Sequence, residues 1–287
     1  MSEKRRPILA ALDNSSLVHQ VIDAALWLAK KQALPVQFLH TIEPSQQHRV
    51  AHGGNLTPNV RTQLLEELSN DAHHASKQLI AESKQLLAKA ISLADTAGIS
   101  AVNSLPRHGH LPQALSDLES DFSIAVLGIK GEQHEKTQGL GTQLEAAIRA
   151  ISAPTLIVDA NFDSPSEVLL AYNGSPSAQR ALQLLANSHL CQGATIHVMS
   201  IAKNQSTAVS QVNEAVAQLG SNHIAIQQVP LVGDPLMTIR EYQRCHSIDL
   251  TVMGAFSHGK LRGFLLGSFT TQLLLSGQGA YLLVHDR

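Results

Sequence analysis

One pattern occurs twice in this chain and narrows the possible folds more than any single motif. A short apolar run ends in a polar turn at Ile8-Leu-Ala-Ala-Leu-Asp13-Asn-Ser-Ser, and again at Val168-Leu-Leu-Ala-Tyr-Asn173-Gly-Ser-Pro. Leu127-Gly128 and Met253-Gly254 follow in the two halves, Gly141-Thr142 and Gly267-Ser268 come 13 residues after those glycines, and Thr155-Leu-Ile-Val158 and Tyr281-Leu-Leu-Val284 close both series. Recurrence in one order and one spacing marks two similar units fused in tandem, an internal pseudo-dimer, rather than one doubly wound domain. A length of 287 residues agrees with that count. The polar stretch Asn161-Phe-Asp-Ser-Pro-Ser166 sets the expected boundary, giving domains 1–160 and 161–287. The repeat offset is 160 at Asp13/Asn173 but 126 at Gly128/Gly254, so the first half holds 34 extra residues.

Within each half, strands alternate with helices. Ile8 to Leu12 is a continuous apolar run suited to a strand buried on both faces, with Ser15 or Ser16 expected to cap the next helix. From Val18 to Leu34 the apolar residues recur at three and four, which is helical; Val36 to Ile42 reads as a strand. After a His-rich loop, a leucine stripe over 60–97 predicts one long helix or a broken pair, stopped by Gly98. Then come strands near 101–105, 124–127 and 155–158 and helices over 112–118 and 142–151, an alternation that implies parallel pairing and right-handed crossovers. The last strands, Thr155–Val158 and Tyr281–Val284, are apolar edges expected to pair and join the halves.

Composition removes several function classes. Lys plus Arg is 21 against 23 Asp plus Glu, a formal charge of −2, which gives no basis for nucleic-acid or anionic-membrane binding. Cys191 and Cys245 form no CxxC or Cys/His pattern and are expected to be small buried hydrophobes. No signal-peptide core and no 18-residue apolar span is present, so a cytoplasmic chain is expected. The 15 histidines show no third and fourth ligand at zinc spacing, and there is no G-x-S-x-G elbow. Gly254-x4-Gly259-Lys260 imitates a P-loop but places Leu261 where a hydroxyl should meet Mg²⁺.

In an open parallel sheet, ligands sit beyond the carboxyl ends of the strands where crossovers leave in opposite directions. If the first and fourth strands are neighbours, as in a 3-2-1-4-5 order, Asp13 and Gly128 face each other across that crevice. Glycines permit close backbone approach there, and a helix N-terminus near Thr142 or Ser268 presents amide hydrogens to a phosphate.

Gly128-x2-Gly131-x9-Gly141-Thr142 resembles the G-x2-G-x9-G-[ST] nucleotide motif of the universal stress protein family, and Gly254-x2-Ser257-x9-Gly267-Ser268 is its second, altered copy. The resemblance covers essentially the whole chain and implies an α/β fold of two tandem, doubly wound, parallel five-stranded sheets. It implies further that an adenine nucleotide, ATP or AMP with or without Mg²⁺, has its ribose and adenine held at the first-strand acid and its phosphates at the glycine loop. The positions carried over are Asp13, Leu127, Gly128, Gly131, Gly141 and Thr142 in the first copy. In the second they are Asn173, Met253, Gly254, Ser257, Gly267, Ser268 and Phe269. The first loop sets Glu132 and Glu135 against Lys130 and Lys136, whereas the second lacks the acid but offers His258, Lys260 and Arg262 to an anion. No residue is an evident general base, so the implied role is a stress-response nucleotide binder with at most slow ATP hydrolysis. The alternative is a scaffold without nucleotide that binds a protein partner or small apolar ligand along the helix over 60–97; a homodimer of whole chains is left open.

Overall fold

The computed structural model describes residues 5–43, 58–99, 101–131, 142–220, 225–255 and 268–285, with side chains of residues 58–75, 101, 102 and 142 excepted. The first half runs β1 (Ile8–Leu12), α1 (Val18–Gln32), β2 (Val36–Ile42), α2 (Pro58–Thr96), β3 (Ala101–His108), α3 (Leu111–Leu118), β4 (Ile124–Gly128), α4 (Thr142–Ala150) and β5 (Thr155–Val158). The second runs β6 (Glu167–Ala171), α5 (Pro176–Ala186), β7 (Thr195–Ala202), α6 (Gln205–Leu219), β8 (Ala225–Val232), α7 (Pro235–Cys245), β9 (Leu250–Gly254), α8 (Ser268–Ser276) and β10 (Ala280–Val284). The leucine stripe is thus one helix of 39 residues, α2, and Gly98 stops it with a φ of 71° that side-chain-bearing residues rarely adopt.

The strand order is β3-β2-β1-β4-β5-β10-β9-β6-β7-β8, so each half is the expected 3-2-1-4-5 arrangement and the two meet in one ten-stranded sheet. All neighbours are parallel except β5 and β10, which join antiparallel with Tyr281 opposite Ile157, Leu282 opposite Leu156 and Leu283 opposite Thr155. The last strands therefore join the halves as their apolar sequences predict. Each outer edge carries a proline at the matching register, Pro106 opposite His40 and Pro230 opposite Ser200. Lacking an N–H, these prolines discourage a further strand from adding to either edge.

Strand residues alternate between two cores, one on each side of the sheet. Ile8, Ala10, Phe38, Val126 and Leu156 face α1, α2, α5 and α6, while Leu9, Leu39, Ala125, Leu127 and Ile157 face α3, α4, α7 and α8. Burial on both faces explains why the strands read as continuous apolar runs.

Two local expectations fail. The residue before the first turn of α1 is Leu17, not Ser15 or Ser16, and its own side chain supplies no cap. Ser15 donates its N–H and Oγ–H to Asp13 Oδ1, at 3.1 and 2.5 Å, and its Oγ accepts the N–H of Leu17 at 3.3 Å, so the hydroxyl ties the Asp13 turn to the entry of the helix. Cys191 is buried, and burial pushes its thiol up to about 12, but Cys245 is exposed. It ends α7 off the helical stripe that buries Ile239 and Gln243.

Candidate functional site

Neighbouring β1 and β4 diverge into helices on opposite faces of the sheet, and a cleft of about 490 Å³ opens beyond their carboxyl ends. It is lined by Asp13, Leu127, Gly128 and Gly131, by His40 and Glu43 at the end of β2, by Leu79 and Glu82 of α2, and by Gln143 and Leu144 of α4. A Cβ placed on Gly131 would lie 3.1 Å from Asp13 Oδ2, so the acid and the glycine turn face each other as their positions in the sequence require. A Cβ on Gly128 would meet Leu17 at 3.4 Å, an ordinary contact, so this glycine leaves room rather than filling a tight seam. Thr142 is the first residue of α4.

The polar side chains of the cleft are tied to one another. Gln143 donates to Glu43 Oε1 at 2.6 Å, and His110 Nδ1 lies 3.4 Å from the same oxygen. His40 Nδ1 is hydrogen-bonded with Ser83 Oγ at 2.9 Å, both side chains being buried. Burial holds His40 below the ordinary histidine range, with Asp13 opposing, which favours the neutral ring.

The same switch point recurs between β6 and β9, where Asn173 and Gly254 sit at equivalent places. Asn173 Oδ1 accepts the N–H of Ser175 at 3.1 Å, repeating the first-half turn. Ser175 Oγ accepts from Ala178 N–H and caps α5, with Pro176 as the first helical residue. Helix α5 starts two positions earlier, by the 160-residue offset, than α1. Its first turn lies against Gly254: a Cβ there would stand 2.4 Å from Ser177 Oγ and 2.6 Å from the Ala178 nitrogen. Across the ends of β6 and β7, Gln211 of α6 donates to the Asn173 carbonyl at 3.1 Å and accepts from Ser200 Oγ at 2.5 Å. Met253 is buried, Phe269 is half-buried against the core, and Ser268 begins α8 as an exposed residue. Gly141, Ser257, His258, Lys260, Arg262 and Gly267 lie outside the described residues.

His40, Glu43, Ser83, Glu82 and Gln143 were not singled out by the sequence reading. The available signal was the polar His40 near the end of the apolar strand VQFLHTI, which a search for histidine pairs passes over. Along residues 76–96, every Leu and Ile is buried or half-buried, so this part of α2 presents no leucine face to a partner. Among the described residues no helix is long and apolar enough to cross a membrane.

A doubled doubly wound unit, with an acid-bearing turn opposite glycines at its switch point, defines the class of protein to which this fold belongs. The chain belongs to the universal stress protein family, whose sequence profile matches residues 4–159 and again 166–285, making it a tandem member. A universal stress protein of Synechocystis sp. is 32% identical over 278 residues, covering 93% of this chain and 95% of its own. The crystal structure of a universal stress protein from Archaeoglobus fulgidus covers 98% of both chains with a TM-score of 0.73 at 16% identity. Another, from Pseudomonas aeruginosa, has a TM-score of 0.63 at 14% identity and covers 98% of this chain and 94% of that one.

Proposed function

We propose that this tandem universal stress protein binds an adenine nucleotide, ATP or AMP, in the first-half cleft and serves a stress response in the cytoplasm with little or no hydrolysis. The observation that carries the reading is the placement of Asp13 against Gly131 across a cleft of about 490 Å³ at the β1/β4 switch point. In this reading Asp13 accepts from ribose hydroxyls, Leu127 packs against the base, and the bare backbone at Gly128 and Gly131 lets phosphate approach the start of α4. Among the described residues no three His, Cys, Asp or Glu side chains converge on one point. The reading treats 1–160 and 161–287 as separate domains, of which the first holds the nucleotide. Isothermal titration of the full-length protein with ATP and AMP, beside Gly128→Val and Gly267→Val, tests it: measurable binding that Gly128→Val abolishes is expected, and no binding by any adenine nucleotide would refute it.

A further inference from the structure

The two halves differ in what covers the turn after their first strand. Helix α6 repeats the buried spacing of α2: Ala208, Val212, Ala215 and Leu219 stand, at one constant offset, where Ser83, Leu87, Ala90 and Ala94 stand in the first half. Ala208 therefore takes the place of Ser83, Gln211 takes that of Leu86, and Ser200 on β7 takes that of His40 on β2. In the first half, His40 and Ser83 satisfy each other at 2.9 Å, and the turn Asp13-Asn14 borders the open cleft. In the second, Ala208 offers no hydroxyl, and the buried Ser200 donates to Gln211 Oε1 at 2.5 Å. With its oxygen so held, the Gln211 carboxamide points its nitrogen the other way, and Nε2 donates to the Asn173 carbonyl at 3.1 Å. A Cβ on Gly174, the counterpart of Asn14, would lie 3.5 Å from that nitrogen. The carboxamide thus lies over the very turn that is left open in the first half.

Building on the nucleotide reading above, we propose that Gln211 is a built-in occupant of the second-half crevice, latched by Ser200, and that it excludes a second ligand from the chain. Two measurements on the full-length protein test this, with each variant checked for folding by thermal melting. The latch is read by NMR without any ligand. The side-chain amide signals of Gln211, assigned by their loss in Gln211→Ala, should exchange with solvent severalfold more slowly than those of exposed glutamines, and Ser200→Ala should erase that protection. The exclusion is read by titration with AMP. The unaltered chain should take one equivalent and Gln211→Ala a second, weaker one, weaker because the first turn of α5 still lies against Gly254. Two equivalents on the unaltered chain, a single equivalent on Gln211→Ala, or a protection that Ser200→Ala leaves unmoved would each overturn the proposal. Failure of AMP to bind either protein would overturn the nucleotide reading instead, and the amide protection would then decide the latch by itself.

Discussion

The two halves share a strand order and a glycine at the same strand end, yet they use the glycine differently. In the first half, Asp13 takes the hydroxyl of Ser15, α1 starts late at Val18, and Gly128 has ordinary clearance. In the second, Asn173 takes only the amide of Ser175, whose hydroxyl caps an α5 that starts at Pro176 and presses on Gly254. The two helices thus start at different places, Val18 against Pro176, and with the earlier start the neighbouring glycine closes a seam instead of bordering a cleft. A motif match by itself does not distinguish these outcomes.

The largest expected contrast is between alanine at the two glycines. Gly254→Ala puts a methyl against backbone of α5 and should destabilise the fold by about 1–3 kcal/mol, whereas Gly128→Ala should stay within about 0.5 kcal/mol; urea unfolding of both variants measures the difference. Equal costs would break the comparison. Asp13→Asn makes the first turn chemically like the second and should weaken AMP binding by about 1–2 kcal/mol, read by titration. Ser175→Ala removes the cap of α5 and should lose about 1 kcal/mol of stability, read by urea unfolding.

The smallest effect concerns His40, whose register-equivalent in the second half is Ser200. Because burial lowers the pKa of His40 in the folded state, the unfolded chain binds more protons below the ordinary histidine value of 6.5. Its contribution is therefore present above that pH and is lost as pH falls through the lower folded value. His40→Ser should flatten this part of the stability profile between neutral and mildly acidic pH, and an unchanged slope would show that His40 does not titrate with folding.

Much of the fold was legible because apolar periodicity and spacing are local signals. The continuous runs at Ile8–Leu12 and Thr155–Val158 marked buried strands, and the doubled glycines fixed the repeat. The start of α1 was not legible, since Ser15 satisfies every rule for a cap, yet its Oγ accepts the N–H of Leu17 two residues on and the first turn begins only at Val18. The polar wall of the cleft was hidden for another reason: Ser83 reaches His40, and Glu82 reaches the cleft, only through the packing of α2 on β2, and no spacing rule links them. The position of Gly254 satisfied the motif while its surroundings depend on where α5 begins.

The most direct test of the first-half site is the stoichiometry of AMP binding to the full-length chain. One equivalent per chain, lost in Gly128→Val and kept in Asn173→Ala, is the predicted result. Binding that survives Gly128→Val and disappears in Asn173→Ala, or no binding to the unaltered chain, would contradict it.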